Sequence, residues 1–248
     1  MPLNRKKIET SLHHPAGVRV YSVIDSTNNE AKRRAAEDRG RYTIYAADSQ
    51  TAGRGRRGHS FYSPDSGLYM TLSLPVGKSA GSIPLLTCAA AVAVCEAIAA
   101  LSDLSPAVKW VNDVYVGGRK AAGILAELVT DSMNAPIAVI IGVGVNLTTA
   151  VFPDEIADLA GSVGDIDPNL LCAAIADRLI AWYESGDYYS IIEKYRSLSF
   201  CLGREIRYTD ADGEHTAEAV GIDDDGSLIV IENGKKRSLR SGEISIKV

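Results

Sequence analysis

Between Gln50 and Ser60 the chain reads QTAGRGRRGHS, which places three arginines and three glycines in positions 53 to 58. Glycines let backbone N–H groups come close to a ligand, and arginines present planar, permanently charged forks that match carboxylate and phosphate oxygens. Two anions about 4 Å apart repel by roughly 4 kcal/mol at an effective dielectric near 20, so joining a carboxylate to a phosphate calls for such cations. The same composition also suits a solvated basic loop or an RGG-like nucleic-acid patch. The loop alone does not separate these readings.

Two further stretches carry chemistry-bearing groups. Lys109-Trp110-Val111-Asn112-Asp113 and Gly118-Arg119-Lys120-Ala121-Ala122-Gly123 fall near the ends of what reads as a hairpin, where Lys109, Asn112, Asp113 and Lys120 can converge on one ligand. Asn112 and Asp113 offer hard oxygens of the kind that hold magnesium on phosphates; as a dipeptide they equally suit a turn. The common nucleotide signatures are missing. No GxxxxGK[ST] occurs, and Gly142-Val143-Gly144-Val145-Asn146 lacks the third glycine and following helix of a dinucleotide fingerprint.

The elements that must position these groups follow from hydrophobic period. Val18 to Ile24 alternates as a strand, and Asp25-Ser26-Thr27-Asn28 opens a polar helix with Thr27 and Glu30 at capping-box spacing. Tyr42 to Ala47 is a short strand leading into the Gly/Arg loop, and Gly67 to Pro75 is another. Ile83 to Leu101 is small and apolar on nearly all sides. It contains Glu96 and follows Ser82 with Pro84 in its first turn, so it reads as a core helix and not a membrane span. Ala107 to Gly117 is read as one strand turning at Gly117-Gly118, and the β-branched run Ile137 to Asn146 as a strand covered on both faces. Helices follow from Asp167-Pro168 to Trp182 and from Tyr188 to Leu198. After Phe200, about five short segments separated by Asp-Gly, Asp-Asp-Gly and Asn-Gly turns predict a small antiparallel barrel. The expected organisation is α+β: a mixed sheet with helices over residues 1–199, and a C-terminal β domain over 200–248.

Composition narrows the function. With 46% hydrophobic residues and a formal net charge of −5, the chain is an ordinary globular protein without general attraction to polyanions. Cys88, Cys95, Cys172 and Cys201 form no CxxC pair and read as buried thiols kept reduced in the cytoplasm. The basic N-terminus has no apolar stretch behind it, so no secretory signal is expected.

Taken together, Ser26-Thr27-Asn28 at a helix start, Gln50 before Gly53-Arg54-Gly55-Arg56-Arg57-Gly58, KWVND at 109 to 113, GRKAAGILAE at 118 to 127, GVGVN at 142 to 146 and GEISI at 242 to 246 resemble the biotin–protein ligases in order and spacing. The resemblance implies a class II aminoacyl-tRNA synthetase-like catalytic domain and a C-terminal SH3-like β barrel. It implies biotin and Mg-ATP as substrates, biotinyl-5′-AMP as intermediate, and a lysine of a biotin carboxyl carrier domain as acceptor. By resemblance, Ser26, Thr27, Asn28 and Gln50 hold biotin; Gly53, Arg54, Gly55, Arg56 and Gly123 surround the adenylate. Lys120, with Arg56, acts on the carboxyl and phosphoryl oxygens. Lys109, Trp110, Asn112, Asp113 and Asn146 take the ATP side, with Asn112 and Asp113 on magnesium. No enzyme nucleophile is needed.

Three positions depart from the family pattern: Val111 for proline, His59 for arginine and Phe61 for tryptophan. Val111 is expected to act as a strand residue, and Phe61 to keep a stacking face without an indole N–H. About 17 residues precede the first strand, too few for the DNA-reading domain some members carry, so the expectation is a ligase-only form that binds neither DNA nor membrane. Relatives include homodimers, and no feature of this chain decides that state. A lipoyl or octanoyl transferase of the same fold is the competing enzyme, and a nucleic-acid-binding module the competing class.

Overall fold

The computed structural model describes residues 1–77 and 82–246. A short helix α1 (Arg5–Ser11), which hydrophobic period did not reveal, precedes strand β1 (Gly17–Ile24) and helix α2 (Thr27–Arg34). Strands β2 (Thr43–Gln50) and β3 (Gly67–Pro75) flank the Gly/Arg loop, which holds a single 3-10 turn at Arg56–Gly58. Helix α3 (Ile83–Leu101) leads to β4 (Ala107–Lys109), β5 (Asp113–Val116), β6 (Arg119–Thr130) and β7 (Pro136–Asn146), and helices α4 (Pro168–Ser185) and α5 (Tyr188–Leu198) follow. Seven strands form one sheet in the order β1-β2-β3-β7-β6-β5-β4. Only β1 and β2 run parallel; every other neighbouring pair is antiparallel, so the sheet is mixed.

Alternation along the strands explains why both faces are covered. Ile44, Ala46 and Ile141 join the main core with the apolar surface of α3 and α4, whereas Tyr45 and Ile140 point the other way onto Ala31 of α2. β7 lies between β3 and β6 and is buried almost throughout. α3 is long and apolar enough to cross a membrane, but about two thirds of it is buried inside the protein, against α4 and α5. All four cysteines are free and buried, and burial pushes the thiols of Cys88, Cys95 and Cys172 up to about 12, which keeps them protonated.

Three local expectations change. Ser82 stands at the N-cap of α3 without a capping hydrogen bond from its side chain. The stretch from Ala107 is interrupted: Trp110, Val111 and Asn112 form a turn between β4 and β5, with a cis Trp110-Val111 peptide, so Val111 is not a strand residue. The capping box at Thr27 and Glu30 is not formed. Ser26 is the N-cap, and Glu30 pairs instead with Arg33 and Arg34.

The C-terminal strands β8 (Arg204–Asp210), β9 (Gly213–Ile222), β10 (Leu228–Glu232), β11 (Lys235–Leu239) and β12 (Ile244–Ile246) form an antiparallel sheet in the order β11-β10-β9-β8-β12. Asn233 and Gly234 both take positive φ in the turn joining β10 to β11, the conformation a two-residue hairpin requires. This sheet is tied to the rest of the fold by hydrogen bonds from the Trp110 indole, in the turn after β4, to the Gly226 carbonyl (2.9 Å) and from Arg196 of α5 to the Ile222 carbonyl (2.7 Å).

Candidate active site

A cavity of about 390 Å³ opens between the edge of α2, the Gly/Arg loop, the β5-β6 hairpin and the C-terminal sheet. Its two ends differ in chemistry. At one end Ser26, Thr27 and Asn28 are nearly fully buried at the start of α2. The helix presents unpaired N–H groups there, and Gln50, at the end of β2, takes the place of a cap. Its Oε1 accepts from the Thr27 amide (2.9 Å) and hydroxyl (3.2 Å), while its Nε2 donates to Ser63 Oγ (3.0 Å). Thr71 of β3 donates to Asn28 Oδ1 (2.6 Å) and lies 2.8 Å from Thr27 Oγ1. The result is a neutral cluster of donors and acceptors, held by three elements.

Glycines make room for it. A Cβ at Gly142 would lie 2.1 Å from Asn28 Oδ1, and one at Gly144 would lie 2.5 Å from the Phe61 ring. Gly144 pairs with Gly123 across β7 and β6, and a Cβ at Gly123 would meet the same ring at 3.0 Å. Phe61 thus rests on a strip of bare backbone that no other residue type allows.

The other end is ionic. Lys120 Nζ is 2.7 Å from Asp113 Oδ1, yet this buried oxygen receives no aligned hydrogen bond. Arg56 donates to Asn112 Oδ1 and to the Gly242 carbonyl, both at 3.2 Å, and burial, reinforced by Arg57, lowers its pKa. Lys109 sits over the Tyr115 ring, and burial lowers its pKa while Asp113 opposes the shift. Arg54 pairs with Glu127 (3.2 Å). Arg54 and Arg56 therefore engage the cavity wall, whereas Arg57 is exposed and does not line the cavity.

Of the residues expected from sequence, Ser26, Thr27, Asn28, Gln50, Arg54, Gly55, Arg56, Lys109, Trp110, Asn112, Asp113, Lys120 and Gly123 line this one cavity. Two do not. Gly53 lies behind the loop, where a Cβ would strike the Phe61 carbonyl and Ser63 Oγ at 2.4 Å, so its role is close packing. Asn146 is turned away, its carboxamide donating to the Gly161 carbonyl (3.0 Å) and tying down the connector after β7. Trp110 touches the cavity but spends its N–H on Gly226, which makes it a brace between the two sheets.

Sequence reasoning missed a third wall. Gly242, Glu243, Ile244 and Ser245 line the cavity, as do Ile156 and Leu159 of the connector. The signal for the first four was the GEISI motif itself. The connector gave none, because its contribution depends on backbone hydrogen bonds, from the Lys120 amide to the Leu159 carbonyl (2.8 Å) and from the Gly161 amide to the Lys120 carbonyl (2.9 Å).

A magnesium ion needs one or two carboxylates beside phosphate and water oxygens. Asp113 Oδ1, buried and without an aligned donor, fits that description. Asn112 is already engaged at both ends, through Arg56 and through its own bond to the Ile124 carbonyl (3.0 Å). No cluster of three or more His, Cys, Asp or Glu side chains suited to a metal occurs among the described residues, so other ligands would have to arrive with the nucleotide.

Residues 20–146, half of the chain, match the biotin/lipoate A/B protein ligase family, and residues 201–247 match the biotin protein ligase C-terminal domain. The chain belongs to this family. Among members of it, the biotin--[acetyl-CoA-carboxylase] ligase of Paracoccus denitrificans is 31% identical over 89% of this chain and 96% of its own length. The bifunctional ligase/repressor BirA of Bacillus subtilis is 30% identical over 91% of this chain and 73% of its own. A biotin protein ligase from Aquifex aeolicus, solved in complex with biotin and ATP, superposes with a TM-score of 0.79 at 26% identity, covering 93% of this chain and 98% of that one.

Proposed function

We propose that this family member is an ATP-dependent biotin–protein ligase that makes biotinyl-5′-AMP and transfers biotin to a lysine of a carboxyl carrier domain. One observation carries the reading: a single cavity joins a buried, neutral hydrogen-bonding end to a cationic end. Biotin's ureido ring has two N–H donors and a carbonyl acceptor, and a buried polar ring without partners would cost about 1–3 kcal/mol per unsatisfied group. The Ser26, Thr27, Asn28 and Gln50 cluster is a partner for that ring. The dithiolane of lipoate has neither N–H donors nor a carbonyl and would lie against this cluster without a hydrogen bond to it.

In the first step a carboxylate oxygen of biotin attacks the α-phosphorus of ATP, and the bond to pyrophosphate breaks. Lys120, Lys109 and Arg56 offset the negative charge that gathers as the two anions meet. The loop around Gly55 and Arg56 shields the anhydride from water. In the second step the carrier amine attacks the acyl carbon, a C–N bond forms, the C–O bond to phosphate breaks, AMP leaves and the amine gives up a proton. Asp113 would hold a magnesium ion brought in with ATP, which would supply further charge neutralisation on the phosphates. In the same reading the mixed sheet is a class II synthetase-like domain, the C-terminal sheet an SH3-like barrel, and the enzyme works in the reducing cytoplasm.

Incubation with Mg-ATP, a carrier domain and either radiolabelled biotin or lipoate tests the reading. Labelling of the carrier lysine by biotin is expected, and labelling by lipoate alone would overturn it.

A further inference from the structure

Tyr195, on α5, lines no part of the cavity, yet it is tied to the turn that carries several of the cavity's polar groups. Ile191, Ile192 and Tyr195 are the buried residues of this helix, and the Tyr195 ring is fully enclosed. Its hydroxyl donates to the Val111 carbonyl (2.9 Å), 84 residues away in sequence. Burial pushes the phenol well above its ordinary pKa, so it remains a donor. The amide of Phe200, just past α5, adds a bond to the Val108 carbonyl of β4 (3.1 Å). β4 needs such support, because it is three residues long, stands at the end of the sheet and pairs only with β5. Each residue of the turn after it is tethered to a different element: Trp110 to Gly226 beside the C-terminal sheet, Asn112 to Ile124 of β6, and Val111 to Tyr195 of α5. Lys109 and Asp113 face each other across the two strands at the base of the turn, and both line the cavity with Asn112.

We propose that Tyr195 is a positioning residue for the ATP end of the cavity: its hydroxyl fixes the Trp110–Asn112 turn and, through the turn, the places of Lys109, Asn112 and Asp113. The proposal rests on the reading of this end as the nucleotide side, and deepens it. Val111 is buried, so a carbonyl that loses its phenol donor must find another partner or stay unpaired, and a turn can shift to do so where a packed helix cannot. A shifted turn weakens contacts that bound ATP and the transition state share, which raises KM for ATP more than it lowers kcat. The Thr27 end is held by Gln50 and Thr71 instead, and it should not register the change.

Tyr195→Phe in the full chain is the test, since it keeps the ring in the core and deletes only the O–H, a loss that the stability of a domain absorbs. In biotin-dependent exchange of pyrophosphate into ATP, KM for ATP should rise by about fivefold or more, the scale of one buried hydrogen bond, while kcat stays within about twofold. Biotin affinity by calorimetry should also stay within about twofold of the wild type, as it does when a change spares the groups that hold a ligand. Ser199→Ala separates positioning from stability. The Ser199 hydroxyl donates to the Tyr195 carbonyl (2.6 Å), so its loss loosens the same end of α5 and leaves the phenol in place. This variant should melt at a lower temperature with KM for ATP unchanged. Hydrogen exchange at the amides of residues 110–113 should quicken in Tyr195→Phe and not in Ser199→Ala. An unchanged KM for ATP in Tyr195→Phe overturns the proposal, and so does an equal rise in Ser199→Ala or a loss of biotin affinity as large as the loss for ATP. If the wild type supports no biotin-dependent exchange, the proposed function fails instead.

Discussion

The two ends of the cavity achieve binding by different means. At the Thr27 end, neutral groups from α2, β2 and β3 bond mainly to one another, with Asn28 reaching only one carboxylate, and bare glycines at positions 142 and 144 hold the backbone close. At the Lys120 end, charged groups come from the Gly/Arg loop and the β4–β6 segments; Lys120 pairs with Asp113, while Arg56 is held by neutral acceptors, Asn112 Oδ1 and the Gly242 carbonyl, so positive charge is in excess there. A rigid neutral end reads shape and hydrogen-bond pattern. A charged end built from several segments can rearrange as negative charge develops, which is where rate is gained.

Four changes break or sharpen this contrast, and they differ in size. Lys120→Ala removes a cation from the charged end, so pyrophosphate release should fall by about 10²- to 10³-fold, as for loss of one charge-stabilising group, with the melting temperature unchanged. Gly142→Ala attacks the neutral end. Its Cβ would occupy the space of Asn28 Oδ1, and calorimetry should show biotin affinity lowered by about tenfold or more, the effect of one misplaced buried hydrogen bond to a ligand. Arg56→Gly should slow adenylation less than Lys120→Ala but release biotinyl-AMP into solution, measured as biotin on lysines of a bystander protein; tight retention by the variant would remove Arg56 from this role.

The smallest effect lies outside the cavity. His215 sits between Glu232 (2.7 Å) and Asp210 (2.8 Å) and stacks on Tyr208, and its bonds to those two carboxylates raise its pKa above 6.5. The folded state thus holds the proton more tightly than the unfolded one. This contribution is fully present below pH 6.5 and is lost as pH rises through the raised value. The melting temperature should decline slightly over that range, and His215→Gln should abolish the decline without altering adenylation.

How much of this was legible in the sequence depended on the range of the interactions. The strand at Ile137–Asn146, the helix from Pro168 and the Asn233-Gly234 turn follow from local period and turn chemistry, and the structure has all three. The turn at Trp110–Asn112 was only partly legible: Asn112-Asp113 suited a turn, but KWV has strand composition, and the Trp110 indole bonds to Gly226, 116 residues away, a contact no local pattern reports. The Ser26-Thr27-Asn28 cluster was legible as a helix start. Its real cap, Gln50, was not, since it arrives from a neighbouring strand. The bond from the Asn146 carboxamide to the Gly161 carbonyl was not legible for the same reason, since no periodicity describes the path of that connector.

The central claim is that the buried neutral end reads a ureido ring. A calorimetric titration of the protein with biotin and, separately, with lipoic acid tests it directly. The account predicts saturable one-to-one binding of biotin that is weakened at least about tenfold in Thr27→Val, with no comparable heat from lipoic acid. Equal affinity for the two acids, or biotin binding indifferent to Thr27→Val, would contradict it.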